Sequence, residues 1–586
     1  MSDQRELALS VSGDTASHTT QYKPLVFEKT FRIAVSDDVR VTKTELEIIN
    51  TEEFQRLRGV RQLGASCLVY PTALHTRFDH SLGVLKTVDE MIVSIRETQF
   101  QVGSLSKTSE ENSCDVTDDQ RIIARLYALL HDITHIPFGH TLEDELNIFP
   151  SHDGFQKDPN HPSMKRFSLF LDEKSTIGKI IIKHLGIQIY NRFKNVFLRS
   201  KMESLPTGDG FDEFIYFLVS DTVCADLLDY VKRDAYFANV DFNLSYRFLN
   251  FLYIADSETG GRRVVVRLWK PRRHEPRRDL LTDLGALLEA RYMIAERIYF
   301  HPAKIIAGTM LGRAVLEAKL AENLSEAEML KHSDDSLVYQ LRTQKVDELD
   351  NDAQRKAALS RTLADRFALR RLYKMERYIK EDFVARGDHD VDLREAALSQ
   401  LRDPNGRKTI EDDIAALAGV NPGDVLIYPA SLKMNSKVAE VLVRWKGKKL
   451  KLSEIDDHIL QPRLKLTQDA HNSLWFIGLL YPKELSSEEV YRIRSAFEAY
   501  FLPVHEKRQK FVPLVQFLAA NDDSLARLTP KRFSDGCLRI AGKLAAETVP
   551  LHKGLSTRDY IRSLVDTEFA DERQDGINAG GEGRSP

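Results

Sequence analysis

Three short stretches of this sequence bring together side chains that can do chemistry. In LLHDITHIPFGH, Leu129 to His140, His131 and Asp132 stand side by side, and His135 and His140 follow. Imidazole suits transition metals and carboxylate is a hard oxygen ligand, so the adjacent pair can hold one ion from a single backbone corner. A charged aspartate buried beside a histidine is costly unless compensated, and a cation is the usual compensation. A helix cap next to a packed histidine fits the bare pair too. In HTRFDHSLG, His75, Arg77, Asp79 and His80 cluster where a loop containing Pro71 meets a helix, a pattern that caps and surface contacts also produce. In ADLLDYVKRD, Asp226 lies between Ala225 and Leu227, with Tyr230 four residues on along the same helix face, then Arg233 and Asp234. An aspartate in that apolar run requires a partner, either a metal or an ion pair with Arg233 or Lys232.

The elements that must position these groups are mostly helical. Leu126, Leu129 and Leu130 form the apolar side of a helix from about Asp119 into His131. Leu82, Leu85, Val88, Met91, Ile92 and Ile95 stripe a helix opening near His80, and Val223, Leu227, Leu228 and Val231 supply a core face beside Asp226. Upstream, Ile48, Phe54, Leu57 and Val60 predict a helix ending at Gly64, and His161 opens another in HPSMKRFSLFLDE. A hairpin with Gly260 and Gly261 in its turn precedes the basic stretch LWKPRRHEPRRD. One long helix then carries Arg291, Tyr299 and His301, and residues 325 to 420 read as wholly helical. DVLIYPA, AEVLVRW and SLWFIGLLY read as strands, followed by a helix from Ser486 to Tyr500.

With 586 residues the chain exceeds one compact core. The expected class is mainly α: a helical core over 27–325, a helical extension over 326–420 and a small α+β domain over 421–565. Polar tails at 1–26 and 566–586 are expected to be disordered. The net charge of −4 gives no global nucleic-acid signature. Four cysteines without CxxC spacing read as reduced thiols. No apolar run reaches membrane-spanning length and no export signal is visible, so a cytoplasmic location is expected.

Together, HTRFDHSLG, LLHDITHIPFGH and ADLLDYVKRD resemble the HD-superfamily metal phosphohydrolases. FQRLRGVRQLG followed by HTRFDHSLGV is similar to the deoxynucleoside triphosphate triphosphohydrolases, both dGTPase-like and SAM-and-HD-domain types, although no SAM domain is recognisable. The resemblance spans about residues 45 to 310. It implies a metal held by His80, His131, Asp132 and Asp226, with Mn, Fe, Co, Ni or Zn favoured at the protein site and Mg with the triphosphate. It further implies that His135, His140 and His161 face the triphosphate and that Arg77 neutralises phosphate. Gln62 and Leu63 would line the sugar and base pocket, with Tyr230, Asp234, Arg291 and Tyr299 making sugar-end and phosphate contacts. His140 is the candidate acid for the 5′ oxygen, and Tyr299 the candidate for excluding a 2′-hydroxyl.

Two departures stand out. Leu227 follows Asp226 where the vertebrate enzyme has a phosphate-binding lysine, so that charge must come from elsewhere, with Lys232, Arg233 and Arg272/Arg273 as candidates. In the regulatory region Gln55 and Arg58 are kept, but Asn50 replaces a guanine-reading aspartate. An amide both donates and accepts, so an effector bound there need not be a guanine nucleotide. The resulting expectation is a dNTP triphosphohydrolase, dGTP favoured, oligomeric and nucleotide-regulated, serving pool control or antiphage defence. An HD-type phosphodiesterase or nuclease acting on cyclic nucleotides or single strands is the second reading. A catalytically silent nucleotide sensor is the third.

Overall fold

The computed structural model describes residues 22–105, 115–198, 212–256, 261–270, 275–345, 351–379, 401–429, 441–501, 504–522, 528–546 and 557–570, with Ser399 and Leu525. Most of both expected tails, Arg272 and Arg273, and Cys114 lie outside these residues. The described chain is mainly α with four small sheets. None of its helices is long and apolar enough to cross a membrane. Among the described residues Cys67, Cys224 and Cys537 form no disulfide.

A β-ribbon, β1 (Lys29–Ile33) and β2 (Asp37–Val41), leads into α1 (Lys43–Ile49) and α2 (Glu52–Gln55). Three helices then frame the centre: α3 (Arg77–Leu105), α4 (Asp118–Leu130) and, after α5 (Met164–Leu171), α6 (Thr176–Leu198) and α7 (Glu213–Ser220), α8 (Ala225–Phe237). Helix α3 packs against both α4 and α8. The apolar stripes read from the sequence are what it buries: Leu82, Leu85, Val88, Met91, Ile92 and Ile95 are all fully buried. Thr117 opens α4 with a capping box closed by Gln120, which fixes where this helix starts and therefore where His131 falls at its end.

The expected single long helix after residue 280 is broken. Helix α9 (Arg278–Ile294) passes into a wide π-helical turn at Ala295–Tyr299, and α10 (Pro302–Leu320) starts afresh with proline in its first turn. Proline lacks the N–H that a continuous helix would require of it. The wide turn is where Tyr299 leaves the helix line. Next come α11 (Glu326–Met329), α12 (Asp334–Thr343) and α13 (Asp352–Ala368).

The hairpin strands β3 (Leu252–Asp256) and β4 (Arg262–Arg267) pair as expected and precede the two-residue strands β5 (Trp269–Lys270) and β6 (Glu275–Pro276). The stretch 325–420 is not wholly helical: β7 (Lys374–Ile379) interrupts it before α14 (Pro404–Ala418). Its hydrogen bonds go to β11 (Phe476–Tyr481), a hundred residues downstream, and such non-local pairing has no local signature. With β8 (Leu426–Tyr428) these strands form a sheet in the order β7-β11-β8. That sheet is the wall between two cores. Phe476 and Leu480 join the large N-terminal core, whereas Ile477, Leu479 and Tyr481 face the second one, as the strand's period of two requires. The strands β9 (Leu442–Trp445) and β10 (Lys448–Lys451) add to β4, with β9 parallel to it. The remaining helices, α15 (Leu460–Asn472), α16 (Ser487–Phe501), α17 (Val504–Ala520), α18 (Pro530–Ala546) and α19 (Thr557–Glu568), complete the chain.

Candidate functional site

Each of the three central helices delivers its groups from one end. His80 sits in the first turn of α3, His131 caps the C-terminus of α4 with Asp132 next to it, and Asp226 lies in the first turn of α8. They converge. His80 Nε2 is 3.0 Å from Asp226 Oδ1 and 3.8 Å from Asp132 Oδ2. His131 Nε2 is 3.5 Å from Asp132 Oδ1 and 3.9 Å from Asp226 Oδ1.

The second bond of each imidazole fixes its tautomer. His80 Nδ1–H donates to Asp229 at 2.8 Å, and His131 Nδ1–H donates to the Ala128 carbonyl at 2.8 Å. Both Nε2 atoms therefore present lone pairs to the shared centre, and both are buried without a hydrogen-bond partner. Orphaned buried nitrogens facing two carboxylates are what a divalent cation would satisfy, and nitrogen-plus-oxygen donors suit a first-row metal. Burial alone would push His80 down, but with no cation bound Asp226 and Asp229 outweigh it and raise the imidazole to about 10, so a divalent ion would take the place of the Nε2 proton that Asp226 otherwise holds. Burial would raise Asp132, but Arg77, His131 and His135 hold it well below the ordinary carboxylate range. Arg77 is buried and donates to Asp132.

Asp79, by contrast, acts as a cap: its carboxylate accepts from the Thr76 N–H and hydroxyl. The Asp226–Arg233 ion pair considered from the sequence does not form. Arg233 is fully buried on Asp229, one helical turn away, and Asp229 carries His80 in turn. Asp229 is thus a supporting residue that the motifs did not reveal. Its i,i+4 spacing to Arg233 was the available signal, but that spacing marks any helix ion pair. Gly83 makes the support fit, since a Cβ there would fall 1.9 Å from Asp229 Oδ1.

A second histidine group adjoins the first. His135 is buried, with Nδ1 on Glu143 at 2.8 Å and Nε2 3.4 Å from Asp132 Oδ1. His152 stacks on it at 3.6 Å between ring centroids, and His140 lies 4.8 Å from His135 with Nδ1 on Asp144 at 2.6 Å. His152 was also missed from the sequence, because it sits in a polar loop without periodicity. His161 bonds Ser163 and is absent from the cavity wall described next. Burial and the neighbouring His135 lower His152 to about 4. Against the cost of burial, His135 and Arg166 lower Glu143 to about 2. Arg56 ties down the loop from outside, donating to the carbonyls of Ile133 and His135.

These groups open onto a cavity of about 570 Å³, within the range of small-ligand sites. Its wall includes Gln62, Leu63, Arg77, Tyr230, Asp234, Arg291 and Tyr299 along with His131, Asp132, His140, His152 and Asp226. At the end formed by the broken helix, the Tyr299 hydroxyl donates to Asp234 at 2.6 Å, and His75 Nε2 bonds the other oxygen of Asp234 at 2.8 Å. The Gln62 N–H donates to the His75 carbonyl. Arg61, Arg77, Arg291 and Lys304 are the cations on the wall. Of the residues considered for replacing the missing lysine, Arg233 is committed to Asp229 and Lys232 is exposed and off the wall. Asn50, Gln55 and Arg58 also lie off the wall. There Gln55 Nε2 donates to the Ile49 carbonyl, Arg58 donates to Gln55, and Arg58 stacks on Phe78.

Residues 77–198, which contain His80, His131 and Asp132, match the HD domain family. Over that stretch the chain is similar to an HD domain. Residues 284–511 match the HD associated region, so α9 to α16 accompany that domain. The HD domain implies a divalent metal, for which the His80, His131 and Asp132 group has the donor spacing. An uncharacterized protein of Methanocaldococcus jannaschii is 33% identical over 54% of this chain and 55% of its own length. The deoxynucleoside triphosphate triphosphohydrolase SAMHD1 homolog of Dictyostelium discoideum is 24% identical over 61% of each chain. The chain therefore spans little more than half the length of these relatives. A crystal structure of a hypothetical protein from Aquifex aeolicus shares the fold, with a TM-score of 0.52 and 20% identity, over 79% of this chain and 99% of that one.

Proposed function

We propose that the chain hydrolyses deoxynucleoside triphosphates, dGTP foremost, to deoxynucleoside and tripolyphosphate. The observation that carries this reading is a single cavity joining the His80, His131, Asp132 and Asp226 cluster to the Tyr299–Asp234–His75 chain, with four cations on its wall. Similarity to a protein named as a deoxynucleoside triphosphate triphosphohydrolase supports it.

His80, His131, Asp132 and Asp226 would hold the ion, with Mn, Fe, Co, Ni or Zn favoured by the donor set and Mg accompanying the triphosphate. A divalent cation there supplies Lewis acidity at the α-phosphoryl group and a more acidic water. Arg291 offsets triphosphate charge, taking the part of the lysine replaced by Leu227, while Arg77 and Lys304 add positive charge from their pairs with Asp132 and Glu145 and Arg61 is held on Asp335. His152, on the cavity wall, offers a ring N–H to phosphate oxygens, with His135 stacked behind it as its partner. His140, oriented by Asp144 and with its pKa raised chiefly by that carboxylate against burial, gives its proton to the 5′ oxygen as the P–O5′ bond breaks. The attacking water's oxygen stays on phosphorus, so tripolyphosphate leaves whole. Gln62, Leu63 and Tyr230 form the sugar and base pocket. Tyr299, held by Asp234, is the residue that would exclude a 2′-hydroxyl.

Asn50, Gln55 and Arg58 are the proposed effector contacts at an interface between copies of the chain. Arg56, in the same segment, reaches the loop of His135 and gives that site a mechanical link to the cavity. Such an activity would serve nucleotide-pool control or starve phage replication. The test is Mn²⁺-supplemented hydrolysis of the four dNTPs, singly and in pairs, read by chromatography. Deoxynucleoside plus tripolyphosphate is expected. Nucleoside monophosphates released from cyclic nucleotides or single-stranded DNA supplied in parallel would identify a phosphodiesterase or nuclease instead, and no product from any of these substrates would leave a nucleotide sensor.

A further inference from the structure

Two segments of the cavity wall end on one buried carboxylate outside the HD domain. Asp334 begins α12, within the HD associated region, and is completely buried. Its Oδ1 accepts the Phe138 N–H at 3.0 Å and its Oδ2 accepts the Arg61 N–H at 3.1 Å. Phe138 immediately precedes Gly139 and His140, and Arg61 immediately precedes Gln62 and Leu63. Among the described residues no side-chain cation lies within ion-pair distance of Asp334, since Arg61 sends its guanidinium to the exposed Asp335 instead. The carboxylate is thus spent on two backbone donors from different parts of the site.

Both segments have further anchors. Phe138 has φ of +55°, a left-handed backbone that a bulky residue adopts only when its surroundings impose it. Its ring packs edge-on against Phe367 of α13, also in the associated region. The Arg61 segment bridges to Thr76, just ahead of α3 and His80. Burying an uncompensated carboxylate costs free energy, and desolvation raises Asp334 to about 6 despite both N–H donors. An apolar helix start would avoid that cost, so the cost points to a task.

We propose that Asp334 is a positioning residue through which the HD associated region sets the registration of His140 against Gln62 and Leu63 across the cavity. The nature of the ligand rests on the triphosphohydrolase reading above, whereas the positioning itself does not.

The test compares the full-length chain with Asp334→Asn, which keeps the volume but replaces one acceptor by a donor, and with Asp335→Asn as a neighbouring control. Hydrogen exchange at the Arg61 and Phe138 amides should accelerate about tenfold or more in Asp334→Asn only. Bound metal per chain should stay unchanged while kcat/KM for dGTP falls by about 30-fold or more. Asp335→Asn should stay within about threefold of the parent, as expected for an exposed ion pair. Unchanged exchange, equal losses in both variants, or loss of metal would overturn the proposal. If the parent chain releases no tripolyphosphate from any dNTP, the substrate reading fails alone. Calorimetric binding of inorganic tripolyphosphate to the Mn²⁺-loaded chain then decides: about tenfold weaker binding in Asp334→Asn supports positioning, and unchanged or absent binding overturns it. Should Asp334→Asn not fold, Asp334→Ser is read in the same way.

Discussion

The two ends of the cavity are built on different plans. At the cation end, four groups come from helix ends and converge because three buried stripes force α3, α4 and α8 together. Three of them have a supporting bond nearby: Asp229 on His80, the Ala128 carbonyl on His131 and Arg77 on Asp132. At the opposite end, proposed to take the nucleoside, His75, Asp234 and Tyr299 come from a loop, a helix interior and a π-helical turn, and they hold one another. The cation end should therefore fail all at once when one ligand is removed, whereas the nucleoside end should degrade by degrees and lose selectivity before it loses rate.

The sharpest break in that contrast is Asp132→Asn. Removing a charged donor that also carries Arg77 should abolish metal binding and lower hydrolysis by about 10³-fold or more, read by metal analysis and product chromatography. Next is Asp229→Ala, which touches no ligand site directly. It leaves buried Arg233 unpaired and should cost about 3–5 kcal/mol in denaturant unfolding. It should also weaken metal affinity by about 10–100-fold.

Tyr299→Phe probes the other end. It removes one bond to Asp234 but keeps the ring, so kcat/KM should fall about tenfold with dNTP-over-rNTP preference intact. Tyr299→Ala should instead narrow that preference. Equal effects of both variants on preference would contradict the gradual behaviour expected there.

The smallest effect is a pH dependence. His152 titrates near 4 when folded and near 6.5 when unfolded. Between those values the unfolded chain binds the extra proton, so this residue's contribution is present above pH 6.5 and is lost as pH falls toward 4. Urea unfolding at pH 7 and pH 5 should show a loss of about 1–2 kcal/mol that His152→Gln lacks.

The same contrast explains what was legible in the sequence. At the cation end the adjacency of His131 and Asp132 and the apolar stripes beside His80 and Asp226 were visible in the sequence, whereas their grouping as one ligand set came only from the family resemblance. Asp229 was invisible for the reason that makes it effective: paired with Arg233 at i,i+4, it looks like ordinary helix decoration. His152 lies in a loop where no periodicity constrains position, so only the stacking on His135 reveals it. The break at Ala295–Tyr299 was masked by helix-forming residues on both sides, and β7 was hidden because its partner is β11, far downstream. Asp334 reads locally as one of the acids that favour a helix N-terminus, and its two long-range N–H partners are a tertiary fact.

The most direct test of the central claim is isotopic. The Mn²⁺-loaded chain would be incubated with dGTP in ¹⁸O-enriched water and the products weighed by mass spectrometry. Attack at the α-phosphorus predicts one ¹⁸O atom in tripolyphosphate and none in deoxyguanosine. Label in the deoxynucleoside, or dGMP as the product, would contradict it.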